Sequence, residues 1–523
     1  MANILVTDGM ADDGIHMLVE AGHEVDQRKV GPEELLDIIG NYDALVVRSA
    51  TQVTAKVLKA GAPNLKLVGR AGVGVDNIDC PTATQLGIIV MNAPLGNILS
   101  AAEHTIGMIF AAARNIPQAH ALLSNGTWDK KRFIGVELHG KTLGIIGLGK
   151  IGKHVANVLH AAGMRIIAYD PFLSQEIAEQ LRIESVSLEQ LYAQADVITL
   201  HTPLNDKTRN LLNAESLAKL KKGVRIVNVA RGGIIDEDAL ATALQSGQVA
   251  AAALDVFAEE PIATDSPLFA CASCIRTPHL GASTAEAQVR VSTDIASGFI
   301  DFFASGKINN SVNVQLRVDP AIDSYLLAAE KLGKALAQTT ELPLRALEVR
   351  SRGELATYDT KPLAVAALKG ALSHICDSPV NLVNAQIIAE DRGITLSTSS
   401  TLQLRDNQAR LAVKANTREG DHSIAGSVID GELRILRFDD YVVDLPLGGH
   451  LLIMEYPDRP GMVGQYGSIL GQAHINIARM EVSRIDGRGD ALVVLTLDDP
   501  VPPEVMKELK DTVKPRQAFT VSF

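Results

Sequence analysis

Residues 141–159 read KTLGIIGLGKIGKHVANVL, an apolar strand pattern joined to a helical pattern by the glycine motif GLGKIG. In such a motif Gly147 permits a tight turn, Gly149 lets the backbone approach a phosphate, and Gly152 lets the helix pack closely on the strand. The unpaired N–H groups at the start of the helix favour an anion, with the positive end of the helix dipole behind them. The stretch therefore predicts a βαβ unit that binds a dinucleotide.

The next strand pattern, RIIAYD at residues 165–170, ends in an acid. Asp170 follows the glycine motif by about 20 residues, the spacing at which a carboxylate accepts hydrogen bonds from ribose hydroxyls. A carboxylate at this position also repels a 2′-phosphate, so we expect NAD rather than NADP as the cofactor.

Strand and helix patterns alternate on both sides of this stretch. Residues 1–97 carry short apolar strands separated by helical patterns, and a second such series runs from residue 141 onward, which predicts an α/β fold. Residues 317–445 mix strand-like and helical pieces and favour a separate α/β domain. Residues 450–523 follow the order βαββαβ, which is typical of a ferredoxin-like unit.

The composition limits the classes of protein to be considered. The chain has 523 residues and a formal net charge of −12, so several domains are expected and nucleic-acid binding, which requires a basic face, is disfavoured. The apolar runs are far shorter than the roughly 20 residues that cross a bilayer, and no secretory signal is visible. Four cysteines make no disulfide framework. We expect a cytoplasmic protein without membrane or nucleic-acid partners and without a metal.

Four segments place polar side chains just beyond apolar strands, where an α/β sheet binds its ligands. They are HTPL at 201–204, NVARGG at 228–233, DVFAEEP at 255–261 and TPHLGAST at 277–284. Hydride transfer to a 2-keto acid needs a cation for the carboxylate and an acid for the developing alkoxide. Arg231 suits the first task and His279 the second, with Glu260 to orient the imidazole. Taken singly, each could be a surface arginine, a structural histidine or part of a solvated turn.

Residues 1–305 resemble the D-isomer-specific 2-hydroxyacid dehydrogenase family, whose motifs GxGxxG, NxARG, DVFxxEP and PHxGxxT occur here in order. The resemblance implies two doubly wound α/β domains with a cleft between them, and Arg231, Glu260 and His279 as catalytic residues. It implies a substrate-binding domain at 1–97 plus 284–305 and an NAD-binding Rossmann domain at 98–283. By matching position, the expected cofactor contacts are Gly147, Gly149, Lys150, Ile151, Gly152, Asp170, Thr202, Val229, Ala230, Arg231, Asp255, His279, Leu280, Gly281 and Ala282.

Three segments of the first domain suggest a substrate. VVRSAT at 46–51, GRAGVGVDNID at 69–79 and MNAPLGNILSAAEH at 91–104 resemble the branch of that family that acts on 3-phospho-D-glycerate. This acid carries about three negative charges, so its site must concentrate cations on an acidic protein. The resemblance implies that Arg48 and Arg70 hold the phosphate, with Ser49 and Asn97 as hydrogen-bond donors. Ordinary surface charge is the alternative explanation for either arginine.

The end of the chain suggests regulation. EYPDRPGMVGQYGSIL at 455–470 and HINIARMEVSR at 474–484 resemble the ACT regulatory domain, a ferredoxin-like module that binds amino acids, commonly between paired domains. The resemblance implies an intervening α/β domain at 306–447, an ACT domain at 448–523 and L-serine as effector. The candidate effector contacts are Tyr456, Asp458 and Asn476. Such domains can also serve only in assembly, and a homo-oligomer, dimer or tetramer, is expected.

The expected activity is the NAD-dependent oxidation of 3-phospho-D-glycerate to 3-phosphohydroxypyruvate, the first step of L-serine biosynthesis, under feedback by L-serine. Two alternatives remain open. One is a related reductase acting on glyoxylate, hydroxypyruvate or 2-oxoglutarate. The other is an NAD-sensing scaffold that binds proteins and turns over no substrate.

Overall fold

The computed structural model describes residues 1–314, 318–340, 342–376, 380–403, 410–418, 420–485 and 489–523. These residues form four sheets covered by helices. The predicted mixed α/β class, with doubly wound parallel sheets followed by a third α/β unit and a ferredoxin-like unit, is confirmed. Short 3₁₀ helices lie at Ile39–Asn41, Lys130–Phe133, Pro267–Ala270, Pro320–Ile322 and Gly353–Thr357.

The first unit is a five-stranded parallel sheet with the order β2-β1-β3-β4-β5. Its strands are β1 (Asn3–Val6), β2 (Glu24–Gln27), β3 (Ala44–Val47), β4 (Leu67–Arg70) and β5 (Ile89–Asn92), and its helices are α1 (Asp12–Glu20), α2 (Pro32–Ile38), α3 (Ala55–Gly61) and α4 (Cys80–Gln85). The strand order reverses between β1 and β3. The loop after β3, which carries Arg48, therefore starts at the point where such sheets form a binding crevice.

The second unit begins with α5 (Ile98–Arg114) and α6 (Ile116–Ser124) and has a seven-stranded parallel sheet of order β12-β11-β10-β9-β6-β7-β8. Its strands are β6 (Thr142–Ile146), β7 (Arg165–Tyr169), β8 (Glu184–Ser185), β9 (Val197–Leu200), β10 (Val224–Asn228), β11 (Val249–Leu254) and β12 (Cys274–Arg276). Its remaining helices are α7 (Lys150–Ala161), α8 (Gln175–Gln180), α9 (Leu188–Gln194), α10 (Ala214–Lys219) and α11 (Glu237–Gln245). The order reverses between β6 and β9, so the glycine motif after β6 also faces a crevice.

The chain then returns to the first sheet. Helix α12 (Ala285–Ser305) buries Ile295 and Phe299 in one apolar cluster with β1 and β3. Beyond this helix, the N–H of Val312 donates to the carbonyl of Val90 at 2.8 Å, which lays residues up to 314 along β5. The first unit is thus built from the residues that precede the second unit and from those that follow it.

The third unit is a mixed six-stranded sheet of order β14-β13-β15-β16-β17-β18. Its helices are α13 (Asp323–Gln338), α14 (Lys361–Ile375) and α15 (Ala385–Asp391), and its strands are β13 (Ala346–Arg352), β14 (Thr395–Thr401), β15 (Leu411–Asn416), β16 (Asp421–Ile429), β17 (Glu432–Phe438) and β18 (Tyr441–Pro446). This unit contacts the first unit through Asn381, whose side-chain amide donates to the carbonyl of Gly87 at 2.6 Å.

The fourth unit is an antiparallel βαββαβ sheet of order β20-β21-β19-β22. It contains β19 (His450–Pro457), α16 (Met462–Gln472), β20 (Ile477–Arg484), β21 (Asp490–Leu497), α17 (Pro503–Val513) and β22 (Gln517–Ser522). The face of this sheet opposite its helices is also buried, because Leu451, Ile453 and Val494 belong to the same apolar cluster as α13 and α14. The third and fourth units therefore share one hydrophobic core.

None of the helices in the described ranges combines the length and the apolar character that crossing a membrane requires.

Candidate active site

The glycine motif forms the strand-to-helix turn that the sequence predicts. Gly147 has a φ of +92°, and a β-carbon there would lie 2.5 Å from the carbonyl oxygen of His201. A β-carbon at Gly152 would lie 2.5 Å from the carbonyl oxygen of Gly147, so only glycine lets α7 pack this closely. Gly149 precedes Lys150 and Ile151 at the start of α7, and no atom of the described chain lies within 4 Å of the position of its missing β-carbon. That open space leaves room for a phosphate.

Asp170 follows β7 beside this turn. Its two carboxylate oxygens accept hydrogen bonds from the N–H groups of Leu148 and Phe172, each at 2.8 Å. The carboxylate is thereby fixed in direction. Each oxygen can accept further hydrogen bonds, as contact with a ribose diol requires.

A cleft of about 460 Å³ lies between the first and second units, at the carboxyl ends of both sheets. Twelve of the residues predicted for the site line it, and they come from both units. These twelve are Arg48, Ser49, Arg70, Asn97, Ile151, Thr202, Val229, Ala230, Arg231, His279, Gly281 and Ala282. The sequence segments that were singled out separately therefore meet in one place.

Three guanidinium groups, those of Arg48, Arg70 and Arg231, line this cleft. The side chain of Arg70 is mostly buried. Burial, together with the positive charges of Arg231 and Arg48, lowers the pKa of Arg70 to about 10. Like charges this close repel one another, and an anion placed between them removes the repulsion. The cleft is electrostatically suited to a ligand with more than one negative charge.

Several buried polar atoms in the wall of the cleft lack a hydrogen-bond partner among the described residues. They are Nε of Arg70, Oδ1 of Asn97 and Oγ1 of Thr202. An unpaired buried polar group costs about 1–3 kcal/mol, so such atoms are rare unless a ligand or water satisfies them. Their position in one cleft indicates a polar ligand there.

His279 and Glu260 are paired as the sequence suggests. Nδ1 of His279 lies 2.7 Å from Oε2 of Glu260, and Oε1 of Glu260 accepts from the N–H of Phe257 at 3.0 Å. Burial raises the pKa of this carboxyl, but the hydrogen bonds from His279 and Phe257 outweigh burial, and the pKa of Glu260 is lowered overall. Because Nδ1 is engaged, Nε2 is the ring nitrogen that remains for a ligand in the cleft.

Asp255 does not line the cleft. Its side chain has no exposed surface, and it accepts hydrogen bonds from the hydroxyl of Thr277 at 2.6 Å and from the N–H groups of Leu280 and Gly281 at 2.8 Å. Burial opposes ionisation, yet hydrogen bonds from His104, Thr277 and Leu280 lower the pKa of Asp255. The carboxylate therefore fixes the loop that carries His279, which has a left-handed φ of +55°.

Three residues of the site were not singled out from the sequence. Asp76 pairs with Arg231 across the cleft, with 2.9 Å between Oδ2 and Nε. His104 of α5 lies 3.2 Å from Asp255. His201, within the quoted segment HTPL, is half-buried in the wall of the cleft, and desolvation lowers its pKa to about 4, so it is neutral. Asp76 and His104 lie within quoted segments, but their partners are more than 150 residues away in the chain, and no spacing rule connects them.

The three effector candidates do not converge within one chain. The side chain of Tyr456 is 1% exposed beneath the helices, beside Tyr466, so it supports the strand rather than offering a surface to a ligand. Asp458 pairs with Arg484 at 2.8 Å, at one end of the sheet. Asn476 donates to Asp498 at 2.8 Å, at the opposite end. Eight residues of strand separate the two, about 25 Å.

In the described part of the chain, no group of three or more His, Cys, Asp and Glu side chains is arranged to hold a metal ion.

Three sequence models of known families match this chain. Residues 106–281 match the D-isomer specific 2-hydroxyacid dehydrogenase, NAD binding domain, residues 321–439 match the D-3-phosphoglycerate dehydrogenase intervening domain, and residues 450–513 match the ACT domain. The fold, the cleft and these matches define an NAD-dependent dehydrogenase of the D-isomer-specific 2-hydroxyacid class with a C-terminal ACT domain.

Full-length relatives narrow this class. The chain is 44% identical to the D-3-phosphoglycerate dehydrogenase of Synechocystis over 100% of its own length and 95% of that protein's. It is also 44% identical to the D-3-phosphoglycerate dehydrogenase of Methanocaldococcus jannaschii, over 98% of each chain. The chain belongs to the D-3-phosphoglycerate dehydrogenase family.

A solved structure supports the cofactor. The NAD-dependent formate dehydrogenase of Staphylococcus aureus in complex with NAD is 29% identical to this chain, with a TM-score of 0.54, and the match covers 59% of this chain and 97% of that one. NAD as cofactor, predicted from the glycine motif and Asp170, is confirmed for the class.

The glycine motif offers a matched pair of substitutions. Gly147→Ala puts a β-carbon at a positive φ and against His201, so it should cost about 2 kcal/mol or more of unfolding free energy as well as NAD affinity. Gly149→Ala, at a φ of −71° in open space, should keep the melting temperature and still weaken NAD binding at least about tenfold, because the methyl group enters the phosphate space. Calorimetric titration with NAD and thermal unfolding separate the two. Full NAD affinity in Gly149→Ala would contradict the placement of the phosphate.

Proposed function

We propose that this chain oxidises 3-phospho-D-glycerate to 3-phosphohydroxypyruvate with NAD, the first step of L-serine biosynthesis. The observation that carries the proposal is the convergence of Arg48, Arg70 and Arg231 on a cleft beside the glycine turn. Relatives of full length are named for this substrate. A substrate with both a phosphate and a carboxylate matches three cations in a way that a plain 2-hydroxy acid does not.

In the proposed reaction, Arg231 holds the carboxylate of the substrate, and Arg48 and Arg70 hold its phosphate with help from Ser49 and Asn97. His279 takes the hydroxyl proton on Nε2, and Glu260 stabilises the imidazolium that forms. NAD, when bound, would supply the acceptor for the hydride that leaves C2 of the substrate. The residues proposed to hold NAD are Gly147, Gly149, Lys150, Ile151, Gly152, Asp170, Thr202, Val229, Ala230, Arg231, His279, Leu280, Gly281 and Ala282, with Asp255 acting from behind.

We also propose the division of the chain into domains at 1–97 plus 284–305, 98–283, 306–447 and 448–523, except that residues 306–314 belong with the first domain, because the N–H of Val312 donates to the carbonyl of Val90 in β5. The separate apolar clusters of the first two sheets support the first boundaries. The last two domains act as one body because they share a core. A cytoplasmic location is supported by the four cysteines, none of which is in a disulfide.

Substrate choice tests the proposal directly. We expect wild-type kcat/KM, measured by NADH formation, to favour 3-phospho-D-glycerate over D-glycerate by at least about 100-fold, since an unphosphorylated acid leaves the mostly buried Arg70 without an anionic partner. Arg48→Gln should reduce this preference about tenfold or more, whereas Arg165→Gln, a change of the same type at an exposed edge, should not. Equal turnover of D-glycerate or glyoxylate favours the alternative reductases. Partner capture without turnover favours the scaffold.

The pH profile tests the pair of Glu260 and His279. The lowered pKa of Glu260 keeps this carboxylate charged across the neutral range, and the charge is lost only as the pH falls through that pKa. In the proposed reaction this charge stabilises the imidazolium that forms when His279 takes the substrate proton. Glu260→Gln removes the charge at every pH, so kcat at neutral pH should fall about tenfold or more, and the variant should lack the fall in activity that the wild type shows as the pH drops through the pKa of Glu260. Glu259→Gln is the matched control, and an unchanged kcat in both variants would count against the pair.

Regulation by L-serine is the second part of the proposal, supported by the ACT domain and by strand geometry. Strand β20 ends the strand order of the fourth sheet, where it lies beside β18, and its side chains are largely exposed. If β20 pairs antiparallel with its copy in a second chain, Asp458 of one chain approaches Asn476 of the other, so one small zwitterion can contact both. Exposed apolar side chains of α5, α6 and the segment that follows them support a further contact; they are Phe110, Ile116, Leu123, Trp128 and Ile134. Two separate contact surfaces, β20 and these apolar side chains, favour a homodimer or a tetramer.

Serine titration tests this arrangement. Asp458→Asn and Asn476→Ala should each raise the L-serine concentration for half-inhibition about tenfold, because each removes one polar contact to a charged ligand. Asp511→Asn, an exposed change on α17, is the control. Point variants are preferable to a deletion of residues 450–523, because the deletion would expose the core that these residues share with α13. Wild-type activity that is flat in serine would leave the ACT domain a purely structural element.

A further inference from the structure

The segment between β4 and α4, residues 70–77, touches all three arginines of the cleft. It supplies Arg70 itself, and its glycines leave room for guanidinium groups. A β-carbon at Gly72 would lie 1.9 Å from Nη1 of Arg70, and one at Gly74 would lie 1.8 Å from Nη2 of Arg231. The last two residues of the segment, Asp76 and Asn77, reach the other two arginines.

We propose that Asp76 and Asn77 are positioning residues that set the two halves of the anion site. In this proposal Asp76 orients Arg231 for the substrate carboxylate, and Asn77 holds the loop that presents Arg48 to the phosphate. The inference rests on the proposed function and adds to it the device that fixes the distance between the two anionic groups.

Asp76 fixes the plane of the Arg231 guanidinium. Oδ2 of Asp76 lies 2.9 Å from Nε, and Nη1 donates to the carbonyl of Ala230 at 2.6 Å. A guanidinium is planar and has five N–H donors, so two fixed corners determine where the remaining ones point. Asp76 belongs to the first unit and Arg231 to the second, so the contact also holds the cation at a set position across the cleft.

Asn77 fixes the Arg48 loop from one side. Its single amide nitrogen donates to the carbonyls of Arg48 at 2.8 Å and of Thr51 at 2.7 Å, which are the two ends of the loop. From the other side, Asp8 accepts from the N–H groups of Arg48 at 2.8 Å and Thr51 at 3.0 Å. Both amide hydrogens of Asn77 are used on this loop, and none is used on Arg231.

Because each residue acts through a different arginine, the two have different consequences for different substrates. Loss of the Asp76 side-chain charge disturbs the binding of the substrate carboxylate, a group that every 2-hydroxy acid has. Loss of the Asn77 amide disturbs only the phosphate end. A role limited to general stability would affect all substrates alike for both residues.

The test compares 3-phospho-D-glycerate with D-glycerate in the full-length chain with NAD. Asp76→Asn should lower kcat/KM about tenfold for both acids, with kcat affected as well as KM. Asn77→Ala should raise KM about tenfold for the phosphorylated acid alone and leave D-glycerate within about twofold. The control is Asp79→Asn, which removes a charge two residues beyond this segment, at the N-cap of α4, where the carboxylate accepts from the N–H of Thr82.

Equal losses on both acids in Asn77→Ala, or unchanged kinetics in Asp76→Asn, would overturn the corresponding half of the inference. If Asn77→Ala lowers the melting temperature, Asn77→Ser, which donates one hydrogen bond instead of two, must still show a loss confined to the phosphorylated acid. Equal wild-type kcat/KM for 3-phospho-D-glycerate and D-glycerate would refute both the proposed function and the role proposed for Asn77. The role proposed for Asp76 can then still be tested, by comparing Asp76→Asn with the wild type on whichever 2-hydroxy acid the wild type oxidises.

Discussion

The repulsion among three guanidinium groups around one cleft is the constraint on which the site depends. Arg70 is mostly buried, and its Nε has no hydrogen-bond partner among the described residues. Burial, with a further contribution from Arg231 and Arg48, lowers its pKa, and the nearby carboxylates Asp76 and Asp8 offset this only in part. A folded chain tolerates such an arrangement only when the rest of the structure enforces it. An anionic ligand that removes the repulsion is then bound more tightly, because the relief of repulsion adds to the free energy of its direct contacts.

The two parallel sheets enforce the arrangement. Arg48 follows β3 and the glycine turn follows β6, and each lies at the reversal of strand order in its own sheet. Because α12 returns to the first sheet, the two crevices face each other across one cleft. In the proposed function, cofactor and substrate would approach from opposite walls of this cleft, with His279, fixed by Asp255 and Glu260, between them. The ACT domain is joined to the intervening domain by a common core, so a signal from it must arrive as a movement of that whole body.

The sequence predicted what is local or carried by a complete motif. The glycine turn and the acid at 170 followed from a short motif and its spacing, whereas the pairing of His279 with Glu260 followed from the resemblance to a family whose motifs occur in order. The sequence did not predict the contact of Asp76 with Arg231, because the two are 155 residues apart and either alone resembles a surface charge. It placed Asp255 at the cofactor, whereas the side chain is wholly internal. It also assigned Tyr456 to a ligand, because a strand buried on both faces shows no alternation that reveals which way a side chain points.

The stability of Arg70→Met tests the central claim most directly, since methionine keeps the apolar stem and removes the charge. Without ligand, this variant should unfold at a temperature equal to or a few degrees above that of the wild type, because the repulsion is relieved. With NAD and 3-phospho-D-glycerate at about 100 times the dissociation constant, the wild type should gain about 2.7 kcal/mol from the substrate, and Arg70→Met should gain little. A variant that is less stable without ligand and is stabilised by 3-phospho-D-glycerate as strongly as the wild type would contradict the account.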